Sequence, residues 1–299
     1  MHDRLIWRMT FKMVLIKDKS TSRNIADLNV ACLGAINMKF LLVIPMCVLA
    51  AGAGLLDVDV DILSAPDKIE ADNVYSSVIT GDIDKAVVQT LALNLLSKGA
   101  IIEDVIARLI RDKKRNIFDY AYKLWNSEGK DVVKQHFPMQ FRLIFAENHV
   151  KIINKRDNLA IKLSTEVDHQ NDRSAFGDAN DKTTDNVGWR FVHLWENNKV
   201  YFKIVSVARN QFLKLGTDAD EAGDHIAYGA DVANTFRHQW YLQPAKYEDD
   251  LLFLIYNREF NQVLKLGRVV DNMGDRRLYG HNGDVSGSPE LFGFFITPL

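Results

Sequence analysis

One short apolar phrase occurs three times in this chain, and that repetition limits how it can fold more than any other feature of its sequence. "LKLG" stands at residues 213–216 and again at 264–267, and "IKLS" at 161–164, so Leu163, Leu215 and Leu266 are separated by 52 and 51 residues. A second register repeats the same intervals through Phe176-Gly177, Tyr228-Gly229 and Tyr279-Gly280. A third pairs "WYLQP" (240–244) with "FFITP" (294–298), with the loop "SGSPE" absorbing the extra residues and Trp189 in the corresponding place of the first copy.

Each copy carries about four short apolar runs separated by Gly, Asn and Asp clusters, which is the pattern of strands. Three units ending abruptly would leave open sheet edges, and closure removes them. Threefold repetition with four strands per unit therefore predicts a β-trefoil over residues 148–299, a six-stranded barrel capped by three hairpins. Each LKLG is then one barrel strand with its leucines pointing inward at alternating positions.

Ahead of the repeats the periodicity is helical. In residues 81–99, Asp82 is placed as an N-cap, Ile83, Val87, Leu91 and Leu95 follow at four-residue steps, and Gly99 is read as the terminating glycine. Residues 100–115 put Ile101, Ile102, Val105, Ile106, Leu109 and Ile110 on one face. Residues 116–127 do the same with Ile117, Phe118, Ala121, Tyr122 and Trp125. The expectation is a small all-α bundle at 69–147, preceded by an acidic, Pro-punctuated lead-in at 54–68. The cluster Arg111, Lys113, Lys114 and Arg115 falls at a helix end, where cations suit the dipole, and is read as a solvated surface.

The first 53 residues differ from the rest. "MKFLLVIPMCVLAAGAG" (38–54) has one Lys, an apolar run and then small residues, the layout of a secretory signal peptide cut near residue 53. The run is too short for a stable membrane span, which needs roughly 20 apolar residues. Residues 1–37 form an extension that such signals normally lack, and Met38 is read as the working start. Both cysteines, Cys32 and Cys47, precede the cut, so the mature chain is expected to hold together through its core alone. The cut removes seven of 37 Lys and Arg and three of 39 Asp and Glu, leaving 30 against 36, a net charge of −6 that argues against nucleic acid as a partner.

No nucleophile elbow, zinc-protease helix, P-loop or dinucleotide fingerprint occurs, and His136, His149, His169, His193, His225, His238 and His281 are not at metal-ligand spacing. The expectation is a non-enzyme without cofactor or metal. "HQWY" (238–241) misses the Q-x-W signature of sugar-binding repeats because Gln239 directly adjoins Trp240. Asp157 and Asn158, Asn210 and Gln211, and Asn261 and Gln262 sit at the repeat turns, where Asn serves a hairpin whether or not a ligand is present. The polar loops 168–186 and 271–287 are the better ligand candidates, with Asp275, Arg276, His281 and Asn282 as expected sugar-binding residues.

Several blocks, among them "YSSVITGDIDKAV" (75–87), "YAYKLWNSEGKDVV" (120–133), "FPMQFRLIFAENHVKIINKRDNLAIKLS" (137–164), "LWENNKVYFKI" (194–204), "QWYLQPAKY" (239–247), "IYNRE" (255–259) and "GSPE" (287–290), resemble the 30K low molecular mass haemolymph lipoproteins of moths, the family that includes microvitellogenin. The resemblance runs from about residue 70 to the C-terminus. It implies a secreted haemolymph and egg storage protein with a helical N-terminal domain and a β-trefoil, associated with lipid and, in defence, with β-glucan. Family members often carry cysteines where this chain has Ile117 and His136, so a disulfide across the helices is absent here. Two functions stand side by side: a nutrient reservoir carrying an apolar ligand such as lipid, and a recognition module binding a polysaccharide.

Overall fold

The computed structural model describes residues 63–180 and 184–299. The expected signal peptide at 38–53 and the extension at 1–37 lie outside the described residues. Among the described residues six helices come first: α1 (Ala65–Thr80), α2 (Ile83–Leu95), α3 (Gly99–Arg111), α4 (Asn116–Trp125), α5 (Lys130–His136) and α6 (Met139–Phe145). Twelve strands follow: β1 (Val150–Asn154), β2 (Ala160–Leu163), β3 (Arg173–Asp178), β4 (Gly188–Glu196), β5 (Lys199–Ser206), β6 (Phe212–Ala219), β7 (His225–Ala230), β8 (Trp240–Tyr247), β9 (Asp250–Asn257), β10 (Val263–Leu266), β11 (Arg276–His281) and β12 (Gly293–Pro298). One short helix, α7 (Pro289–Phe292), precedes β12.

Helix α1 begins at Ala65, inside the expected lead-in, because Ser64 caps it and Pro66 occupies the first turn, where its missing N–H costs nothing. Helix α2 begins where Asp82 predicts but stops at Leu95, ahead of Gly99, which opens α3 instead. The four-residue stripe also fails as a buried face. Each step of four turns about 40° past a full 3.6-residue turn, so Ile83 and Val87 are buried while Leu95 has rotated out to 85 % exposure. The core-facing set is Ile83, Ala86, Val87, Thr90 and Leu93. In α3 the six predicted apolar residues are all buried.

The expected fold class, an N-terminal all-α bundle followed by a C-terminal β-trefoil, is corrected. The observed architecture is a short helical part and one large antiparallel sheet. All twelve strands belong to a single hydrogen-bonded sheet of order β10-β11-β3-β2-β1-β12-β9-β8-β5-β6-β7, with β4 bridging β1 and β5. The hairpin strands are paired into this same sheet through Ile153 with Ala160, Val205 with Phe212 and Tyr256 with Val263, so a barrel and separate caps are not distinct bodies. Nor do the helices close on a core of their own. Phe118 of α4 stacks on Phe141 of α6 at 4.8 Å and meets Phe253 of β9 at 5.9 Å and Phe202 of β5 at 6.1 Å, so helices and sheet share one hydrophobic interior. Exposed apolar area is minimised by covering the open faces of both layers with each other.

The junction is also polar. Asp119 of α4, 2 % exposed, accepts the Val200 backbone N–H of β5 at 2.7 Å. Burial pushes its carboxyl above the usual value, against that hydrogen bond and Lys199. Arg115, read from sequence as part of a solvated cluster, instead lies with its guanidinium carbon 4.0 Å from the Tyr241 ring centroid and 5.0 Å from that of Tyr201.

Candidate functional site

The three hairpin ends are built alike. Asp168, Asp220 and Asp271 each fold their carboxylate back onto the backbone N–H groups two and four residues on, those of Gln170 and Asp172, of Ala222 and Asp224, and of Met273 and Asp275. The fourth position of each turn is left-handed and filled by Asn171, Gly223 or Gly274, residue types that tolerate positive φ. The second aspartate of a turn then meets the lysine from the next LKL phrase: Lys214 reaches Asp172 at 2.5 Å, and Lys265 pairs with Asp224. The third position breaks the pattern, because Lys162 pairs with Asp178 instead of Asp275.

Beside the third hairpin lies an open cleft of about 1200 Å³, bordered by segments of β2–β3, the β6–β7 turn and β10–β11. Asp275 and His281 line it, together with the half-buried rings of Phe176 and Tyr279 and the side chains of Lys265 and Arg277. Of the four residues expected from sequence, these two face the cleft, while Arg276 and Asn282 are not among its lining residues.

Each of the four already has work within the fold. Asp275 Oδ1 accepts the Ala179 N–H at 3.1 Å. Arg276 donates to the carbonyls of Gly267 at 3.0 Å and Arg268 at 2.8 Å, closing the β10–β11 loop on itself. His281 Nδ1 lies 3.0 Å from Asp224 Oδ1 and 3.1 Å from Lys265 Nζ, and its ring stacks on Phe292. The Asn282 N–H donates to the same Asp224 oxygen at 3.1 Å. Burial acts to raise the Asp224 pKa, but Lys265, the Asn282 amide and His281 outweigh it and hold the carboxyl below its usual value. Asp224 and Lys265 were not singled out from sequence. The signal was present, since Asp172, Asp224 and Asp275 recur at the same 52 and 51 spacing as the leucines.

The turn residues are structural. Asn158, Asn210 and Asn261 all have φ between 51 and 55°, the left-handed conformation that a tight hairpin needs. Trp240 is fully buried with its indole N–H donating to Leu213 O at 2.9 Å, and Trp189 repeats this with Ile161 O at 2.8 Å, so neither ring is open to a ligand. No cluster of three His, Cys, Asp or Glu side chains suited to a metal occurs among the described residues. No described helix is long and apolar enough to cross a membrane.

A second surface stands out on the helices. Val88 and Leu95, seven positions apart on one side of α2, are 67 and 85 % exposed, and Leu96 beside them is 66 % exposed. A helix apolar on its outer side as well as its inner one has a face without a partner among the described residues.

The family model for the lepidopteran low molecular weight (30 kD) lipoproteins matches residues 68–298. The chain is 54 % identical over 227 residues to Microvitellogenin of Manduca sexta, covering 76 % of this chain and 91 % of that protein. It is 47 % identical over 264 residues to Low molecular mass lipoprotein PBMHP-12 of Bombyx mori, covering 88 % of this chain and all of that one. Low molecular mass lipoprotein PBMHPC-23 of Bombyx mori is 46 % identical over 267 residues, with the same two shares covered. Matching blocks that span both the helices and every strand of the sheet place the chain in the lepidopteran low molecular weight (30 kD) lipoprotein family.

Proposed function

We propose that this protein is a secreted, non-enzymatic haemolymph storage protein that carries lipid on the outside of its helical part. The observation behind the lipid reading is the outer face of α2, where Val88, Leu95 and Leu96 stay exposed while the interior is filled by side chains shared between helices and sheet. An acyl chain laid along that face removes apolar area from water at about 25 cal/mol per Å². The name lipoprotein carried by the relatives supports the same ligand class. Secretion rests on the leader read at 38–53 and storage on the family.

The test is lipid extraction from the purified protein and from a Val88→Gln/Leu95→Gln/Leu96→Gln variant. Loss of most bound lipid with unchanged thermal unfolding supports the reading. Undiminished lipid in the variant removes α2 as its carrier.

The alternative is a polysaccharide held in the cleft at Asp275 and His281. The half-buried rings of Phe176 and Tyr279 favour it, since each offers an aromatic surface beside polar groups.

A further inference from the structure

Asn282-Gly283 is the only Asn-Gly step in the sequence. It directly follows β11, and both residues are exposed. The Asn282 backbone is anchored by its N–H to Asp224, while its side-chain amide has no hydrogen bond among the described residues. The glycine is required by its neighbour. A Cβ at position 283 would lie 2.5 Å from His281 Nε2, and His281 cannot easily yield, being held by Asp224 on one side and stacked on Phe292 at 5.2 Å on the other. The residue after Asn282 is therefore the one type whose backbone nitrogen is unshielded by a side chain and whose dihedrals are free enough to approach the preceding amide.

We propose that Asn282 is a site of spontaneous deamidation. The Gly283 backbone nitrogen attacks the Asn282 side-chain carbonyl carbon. A C–N bond forms to close a succinimide ring, the Gly283 N–H proton is lost to solvent, and the side-chain nitrogen, taking up a proton, leaves as ammonia. Water then opens the ring at either carbonyl, giving aspartate or isoaspartate. The net change is addition of one water and loss of one ammonia. It places a new carboxylate next to the cluster of Asp224, His281 and Lys265 at the cleft margin. Because only water is consumed, the converted fraction rises with the age of each molecule, and isoaspartate inserts an extra backbone atom where the Asn282 N–H now meets Asp224.

The test holds the intact folded protein in mildly alkaline buffer and follows it by tryptic mapping. Cleavage after Arg277 releases Leu278–Leu299, in which Asn282 is the only asparagine. The expected result is a gain of about one mass unit in this peptide as an amide becomes an acid, with separate aspartate and isoaspartate forms, ahead of any other asparagine-bearing peptide. Gly283→Ala should slow the conversion, and circular dichroism verifies that this variant is folded. A peptide whose mass stays constant while another asparagine converts overturns the proposal. So does a folded Gly283→Ala protein that converts as fast as the parent.

Discussion

Leu163 of β2 packs its side chain into the space that a Cβ on Gly229 of β7 would occupy. The relationship is cyclic. Leu215 packs in the same way on Gly280, and Leu266 on Gly177, where the nearest side-chain carbon would be 2.9 Å from the added Cβ. Each leucine of the repeated phrase thus sits on the glycine of a different copy, which explains why the two sequence registers share one spacing.

Gly229→Ala is accordingly expected to destabilise the protein by about 1–3 kcal/mol, the usual cost of forcing an extra methyl into a packed interior. Urea unfolding monitored by tryptophan fluorescence measures it. Gly287→Ala, where nothing lies within 4 Å, serves as the neutral comparison. Equal stability of the two variants contradicts the packing account.

Asp119 ties α4 to β5 through the buried Val200 N–H. Replacing it with alanine leaves that donor unpaired, at a cost of about 1–3 kcal/mol, whereas Asp119→Asn retains an acceptor oxygen. Its carboxyl titrates above the ordinary value in the folded state, so the folded protein binds the proton more tightly. The contribution of this group to stability therefore declines as pH rises through the window just above 3.8. Asp119→Asn should flatten the stability profile there, as measured by urea midpoints.

His238 behaves in the opposite sense. Burial, aided by Lys214, pushes its pKa down to about 4. The unfolded chain protonates near pH 6.5 and the folded one does not, so stability is full above that value and falls as the pH drops toward 4. The total loss is about 3 kcal/mol. His238→Gln should lose less stability than the parent between neutral and acid pH in parallel denaturant titrations.

For the polysaccharide alternative, a pull-down on insoluble β-glucan with soluble competitor is decisive. Saturable binding that Asp275→Ala and His281→Ala both weaken places the ligand in the cleft beside the third hairpin. Binding that survives both substitutions moves it elsewhere, and no binding leaves the storage reading alone.

Arg276 shows why the candidate site was only half legible. Its exposed loop and charge suggest a ligand contact, yet it is committed to the carbonyls of Gly267 and Arg268. A sequence reports which groups can bind a ligand, but only the fold reveals which of them are already satisfied. Asp224 and Lys265 erred the other way: two unremarkable charges, 41 residues apart in the chain, meet because neighbouring copies pack against each other.

The sequence by itself determined the threefold strand pattern, the α3 face and the hairpin turns at Asn158, Asn210 and Asn261. These follow from local periodicity and backbone sterics, which the spacing of residues records directly. Tertiary structure decided that helices and strands share one interior through Phe118, Phe141, Phe202 and Phe253, and that the strands form one sheet. Burial depends on what covers a face, and the covering element is distant in sequence, so no local pattern encodes it.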